Sequence, residues 1–219
     1  MKCNNNICHH PYTLPTAKAN TPYICCLAPA EHTVRLEWFD RGEDSDYKLF
    51  WRARGENDWS ACNTAPGITQ IDGLATDTDY ELYIESASGR KSNLRLARTG
   101  KIPEGTSVIN YLHPEDEQYL FSGRFLCSPS LVKTPGGRLI AGMDVFGPSM
   151  GQNTTLLFCS DDDGETWHYL CDLYPFYWAS MFYHQNAIYI IGLSTEYGDL
   201  RISRSTDEGM TWESPTTIM

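Results

Sequence analysis

No stretch of the chain reaches the roughly 18 consecutive apolar residues that a membrane-crossing helix needs, which excludes a helical span on sequence grounds. The opening run Met1-Lys2-Cys3-Asn4-Asn5-Asn6 also lacks the apolar core of a secretory signal, because Asn, His and Pro interrupt it through Pro15. As written, the chain reads as cytoplasmic; an extracellular location follows only if the N-terminus is incomplete. Basic residues are scarce, with Lys+Arg 17 against Asp+Glu 28 and a net charge of −11, so polyanions are repelled and a nucleic-acid role is disfavoured. Neutral glycans suit such a surface better. The cysteines lack regular spacing: Cys3, Cys8, Cys25, Cys26, Cys62, Cys127, Cys159 and Cys171 suggest reduced thiols packed as small hydrophobes rather than a disulfide framework. The group Cys3, Cys8, His9 and His10 has ligand types suited to zinc but matches no finger spacing. Neither a metal nor a cofactor is expected.

What is present is a repeat. Ser160-Asp161-Asp162-Asp163-Gly164-Glu165-Thr166-Trp167 and Ser205-Thr206-Asp207-Glu208-Gly209-Met210-Thr211-Trp212 share Ser, Asp, Gly, Thr and Trp at matching places and begin 45 residues apart. A period of that size suits a four-stranded propeller blade. Each copy follows a β-rich run and precedes an aromatic strand start, so it reads as a hairpin turn. Ser and Asp hold the turn's N–H groups, Gly adopts positive φ, and Trp plugs the loop from below. All these roles are structural.

The octapeptide is an Asp-box, and through it residues 107–219 resemble the sialidase-like (bacterial neuraminidase repeat) β-propellers. That resemblance implies a first blade of Phe125–Val132, Arg138–Phe146, Thr154–Ser160 and Thr166–Leu173, and a second of Trp178–Tyr183, Ala187–Ser194, Leu200–Ser205 and Thr211 onward. Ser107–Leu112 is expected as a strand that completes the last blade. A ring typically takes about four to eight blades, so two imply a fragment whose partners are missing blades in cis or a second copy.

Upstream, short alternating strands are expected at Tyr23–Leu27, Thr33–Phe39, Tyr47–Arg54, Gly67–Ile71, Asp79–Ser86 and Ser92–Arg98, the pattern of an antiparallel sandwich. The run from Gly73 to Leu82 carries Tyr80 where fibronectin type III modules place their tyrosine corner; with Trp38 and Trp51, the resemblance to those modules covers residues 21–99. The expected fold is thus all-β: a flexible tail over 1–20, a sandwich over 21–99, a linker over 100–106 and a partial propeller over 107–219.

In such a propeller, ligands lie on the rim opposite the Asp-boxes. The loops reaching that rim contain Arg124, Asp144, Phe146, Tyr177, Trp178, Glu196, Tyr197 and Asp199. Carboxylates beside aromatic faces suit sugars, since rings stack on C–H faces while acids hold hydroxyls. Asp144 and Glu196 are the candidate catalytic pair; the others are candidate substrate contacts. Two sialidase arginines are replaced, one by Cys127 two residues before Pro129 and one by Phe146 two residues after Asp144. The resemblance implies an exo-glycosidase parent acting on terminal glycan sugars, with this chain alone inactive, or alternatively a non-catalytic glycan- or protein-binding propeller beside an adhesion-type module.

Overall fold

A computed structural model describes Lys2, Cys3, residues 20–148 and residues 150–218. Among them every regular element is a strand, each pairing is antiparallel, and no helix is long and apolar enough to cross a membrane. Of the expected tail, only Asn20 and β1 (Lys2–Cys3) fall among the described residues, and β1 pairs with a strand near the other end of the chain. Cys8, His9 and His10 lie outside the described residues as well. The chain divides into two compact units, residues 19–118 and residues 1–18 with 119–219.

The unit of residues 19–118 is built from β2 (Tyr23–Pro29), β3 (Val34–Phe39), β4 (Tyr47–Ala53), β5 (Ser60–Thr64), β6 (Gly67–Ile71), β7 (Asp79–Ser86) and β8 (Arg95–Arg98). They form a three-stranded sheet, β2-β3-β6, and a four-stranded sheet, β5-β4-β7-β8. Alternation sets the packing: Val34, Leu36 and Trp38 of β3, and Tyr80, Leu82 and Ile84 of β7, turn inward into one core with Ile24, Leu27 and Leu49. The Tyr80 hydroxyl accepts the Ala75 N–H at 2.9 Å and pins the crossover into β7.

Three sequence expectations differ here. β5 was not anticipated, because Ser60-Ala61-Cys62-Asn63-Thr64 has no apolar alternation; it is an edge strand held by its ladder with β4. Residues 107–112 form no strand. Instead the Ile109 carbonyl accepts the Cys26 thiol and the Asn110 side chain accepts the Leu27 N–H, so the segment belongs to the sandwich unit. The boundary accordingly falls after Gln118, not at the linker over 100–106. Arg95 and Asp116 fix it, forming a fully buried ion pair at 2.7 Å.

The other unit contains β9 (Phe125–Lys133), β10 (Leu139–Phe146), β11 (Thr154–Ser160), β12 (His168–Leu173), β13 (Tyr177–His184), β14 (Ala187–Leu193), β15 (Leu200–Ser205), β16 (Trp212–Glu213) and β17 (Thr216–Ile218). Two four-stranded sheets result, ordered β12-β11-β10-β9 and β13-β14-β15-β17. β13 runs beside β9, with the Met181 N–H bonded to Ser130 Oγ at 2.8 Å. Between the sheets lie Val132, Ile140, Leu157, Leu173, Phe176, Met181, Ile188, Ile190 and Trp212. The strand expected from Thr211 is split: β16 pairs with β1, and β17 pairs with β15.

Both octapeptide loops adopt one hydrogen-bonded turn. Ser160 Oγ donates to Asp162 Oδ1 (2.7 Å) and accepts the Gly164 N–H (2.9 Å); Asp162 accepts the Thr166 N–H (2.9 Å) and hydroxyl (2.5 Å), and Trp167 Nε1 donates to the Gly164 carbonyl (3.0 Å). Ser205, Asp207, Gly209, Thr211 and Trp212 repeat the same set. These bonds, led by the Thr166 hydroxyl, hold the Asp162 carboxyl well below the usual carboxylate range. Positive φ is needed at Gly164 and Gly209, and each follows a second left-handed residue, Asp163 or Glu208.

Candidate functional site

Strand register decides which residues share a rim. Ser160, where the first octapeptide begins, pairs with Leu139 at the start of β10, whereas Asp144 pairs with Thr155 toward its far end. In the second sheet Ser205 pairs with Ile188, and the loop holding Glu196 and Tyr197 joins the far ends of β14 and β15. The octapeptide turns and the candidate residues therefore sit at opposite ends of the same strands. Loops 147–153 and 194–199 are joined by a 2.8 Å bond from Thr195 Oγ1 to the Gly151 carbonyl, and the Phe176 N–H reaches the Asn153 carbonyl at 3.0 Å.

Equivalent bulges shape the two inner strands. Pairing between β9 and β10 shifts beyond Cys127, and pairing between β13 and β14 shifts beyond Tyr177. The residue after each shift is left-handed: Ser128 at φ 49° and Trp178 at φ 50°. Such bulges turn a side chain out of its alternating place. Trp178 is consequently 46% exposed, its ring stacked at 5.3 Å on Tyr177 and perpendicular to Tyr197, 6.2 Å away at 86°. Tyr197 is also left-handed, at φ 61°, and is 85% exposed. Gly192 opposite the second bulge permits this approach, since a Cβ there would lie 2.9 Å from the Tyr177 carbonyl oxygen.

Asp144 has a different role from the one expected. Its carboxyl is fully buried: Oδ1 accepts the Thr155 hydroxyl at 2.5 Å, and Oδ2 accepts the Ala179 N–H at 3.2 Å, beside further bonds from Ser128 and the Trp178 backbone. A group with no exposed surface touches no substrate in this conformation, which corrects its assignment as an acid/base in direct contact with sugar. It fastens β10 to the bulge of β13 and so fixes Trp178. Tyr177, expected as a substrate contact, is likewise fully buried. Its hydroxyl lies against the Cys127 thiol, and burial, then the neighbouring Cys127, Asp144 and Glu196, raises its pKa.

The remaining candidates divide. Glu196 is half-buried and Asp199 exposed, on the loop that carries Tyr197; Ser194 Oγ accepts the Asp199 N–H at 3.0 Å. Phe146 is half-buried at the end of β10, where its carbonyl accepts the Arg124 N–H at 2.8 Å. Arg124 and Phe146 thus define a strand end; Glu196, Trp178, Tyr197 and Asp199 form the solvent-facing group. Ser128 and Thr155, which hold Asp144, were missed, because a bulge leaves no mark in residue type. Their signal would be the like spacing of Cys127-Ser128-Pro129-Ser130 within β9 and Tyr177-Trp178-Ala179-Ser180 within β13.

No group of three or more His, Cys, Asp or Glu among the described residues is arranged to hold a metal ion. A groove of about 400 Å³ on the sandwich, lined by Lys48, Phe50, Asn63 and Glu85 among others, contains no orphaned buried polar atom.

Burial raises the Asp144 carboxyl from its ordinary 3.8 to about 6, against the lowering effect of its hydrogen bonds. The folded protein then holds this proton more tightly than the unfolded chain. The resulting stability is complete below about pH 4 and lost as pH rises through about 6. Asp144→Asn, which does not titrate, should gain up to about 3 kcal/mol relative to the wild type between pH 4 and 7. Urea midpoints across that range test this, and parallel profiles for the two proteins would contradict it.

Two of the solved structures similar to this chain each cover 38% of it. One, described as a myokine structure, is 10% identical, covered over 100% of its length, with a TM-score of 0.33; another, the fibronectin type III domain of the human collagen alpha-1(XX) chain, is 24% identical, covered over 86%, with a TM-score of 0.31. No family model and no curated protein matches the chain. The all-β antiparallel fold stands on the strand pairings themselves.

Proposed function

We propose that the chain joins a fibronectin type III-like module to the opening of a sialidase-like β-propeller and that its second unit binds glycans rather than hydrolysing them. The observation that carries this reading is the pair Trp178 and Tyr197. Two bulky aromatic residues in left-handed backbone, both exposed and at right angles, are costly on two counts: each conformation stores on the order of 1–3 kcal/mol of strain, and each ring leaves apolar surface in water. Such strain persists where it serves a site. The ring faces offer stacking surface to the C–H face of a sugar, and Glu196 and Asp199 offer acceptors for its hydroxyls.

Burial of both Asp144 and Tyr177 favours binding over catalysis. Hydrolysis by paired carboxyl groups requires two that flank the scissile bond. The exposed group contributes Glu196 and Asp199 from one loop only.

Glycan-array screening followed by calorimetric titration tests the proposal. Trp178→Ala and Tyr197→Ala should each weaken the best ligand by at least about tenfold, as expected for aromatic anchors. Undiminished binding in both variants, or turnover of chromogenic glycosides that disappears in Glu196→Gln, would overturn it.

A further inference from the structure

Loops 147–153, 174–178 and 194–199 contain no lysine, arginine or histidine, yet they carry Glu196 and Asp199. Arg124, whose N–H bonds the Phe146 carbonyl, and Arg201, two residues after Asp199, each already have an interaction. Neither Glu196 nor Asp199 has an ion-pair partner among the described residues. Tyr177, buried and stacked on Trp178, has its hydroxyl beside the Cys127 thiol and close enough to Glu196 for that carboxylate to disfavour its ionisation. The corner thus combines two ring faces with uncompensated negative charge.

We infer that the ligand of the Trp178–Tyr197 corner is a glycan carrying free, unacetylated amino sugar, whose ammonium group lies against the aromatic faces and pairs with Glu196. The inference rests on the glycan-binding reading above and adds the sign of the ligand's charge. Ring faces attract cations through their quadrupole, and the Trp178 and Tyr197 side chains are both exposed. A carboxylated sugar fails on the same features. It meets the carboxylates of Glu196 and Asp199, while Arg124 and Arg201 are already engaged.

Calorimetry of the 219-residue chain at pH 6 and low salt, against a glucosamine tetrasaccharide, its fully N-acetylated counterpart and a sialylated trisaccharide, tests this. The unacetylated tetrasaccharide should bind about tenfold more tightly than the acetylated one, a difference that cation–π and ion-pair contacts together account for. Glu196→Gln should level the two, whereas Glu104→Gln, which removes a like charge from an exposed position in the sandwich unit, should preserve the preference. Equal or tighter binding of the acetylated sugar, tightest binding of the sialylated one, or loss of preference in Glu104→Gln would overturn the inference. If the acetylated sugar binds equally and Trp178→Ala weakens it, the glycan reading survives and the charge assignment falls; if none of the three sugars binds, both fall.

Discussion

Replacing Asp116 with alanine is expected to destabilise the sandwich unit by about 3–5 kcal/mol, the loss typical when one member of a buried ion pair is removed. Arg95 is 1% exposed; its Nε donates to Asp116 Oδ2 at 2.7 Å and its Nη1 to the Ile24 carbonyl at 2.6 Å. The carboxylate also accepts the Leu96 N–H at 3.2 Å and the Gln118 N–H at 2.9 Å. Its removal orphans a guanidinium charge and two backbone donors together. Because desolvation offsets most of the attraction in such a pair, Arg95→Met combined with Asp116→Leu should restore most of the stability. Urea unfolding, with hydrogen exchange read separately for the two units, checks both variants. A loss below about 1 kcal/mol for Asp116→Ala, in the range of exposed pairs, would mean that water reaches the pair.

Trp212→Ala should cost the other unit about 3–5 kcal/mol, and Trp167→Ala distinctly less, although both residues occupy the same place in the repeated turn. Each indole donates to the carbonyl of its own turn glycine at 3.0 Å. Only Trp212 is part of the core between the two sheets, packed among residues such as Leu157, Met181 and Ile190. Truncation there is expected to open a cavity in that core, whereas Trp167 lies outside the cluster. Trp212→Phe removes the hydrogen bond and part of the ring volume, and the lost bond alone should cost about 1 kcal/mol. Equal losses for the two alanine variants, measured as shifts of the urea midpoint, would show that the turn and not the inter-sheet core sets the energy.

Readability from sequence tracked how local each interaction is. The octapeptide turns needed only bonds within eight residues, and the alternation of β3 and β7 needed only period two; both are present as expected. β5 was missed because an edge strand of mixed polarity is defined by the partner it pairs with. Residues 107–118 were placed in the second unit because 107–112 has a strand-like pattern of its own. The contacts that bind them to the sandwich span long separations, such as Gln118 Nε2 to the Ile24 carbonyl at 2.9 Å. At the site, composition and loop position selected Trp178, Tyr197, Glu196 and Asp199 as rim residues. The same reasoning cannot separate them from Asp144 and Tyr177, whose burial follows from the approach of β13 to β9 and β10.

Residue order alone was sufficient for the all-β character, the inward faces of the sandwich and the two identical turns, because each depends on neighbours a few bonds apart. The unit boundary after Gln118, the conversion of Asp144 from a presumed reacting group into a buried clasp, and the exposure of Trp178 came from the folded chain. Those features depend on which distant strands meet, and desolvation, charge pairing and bulge placement take effect only once they do.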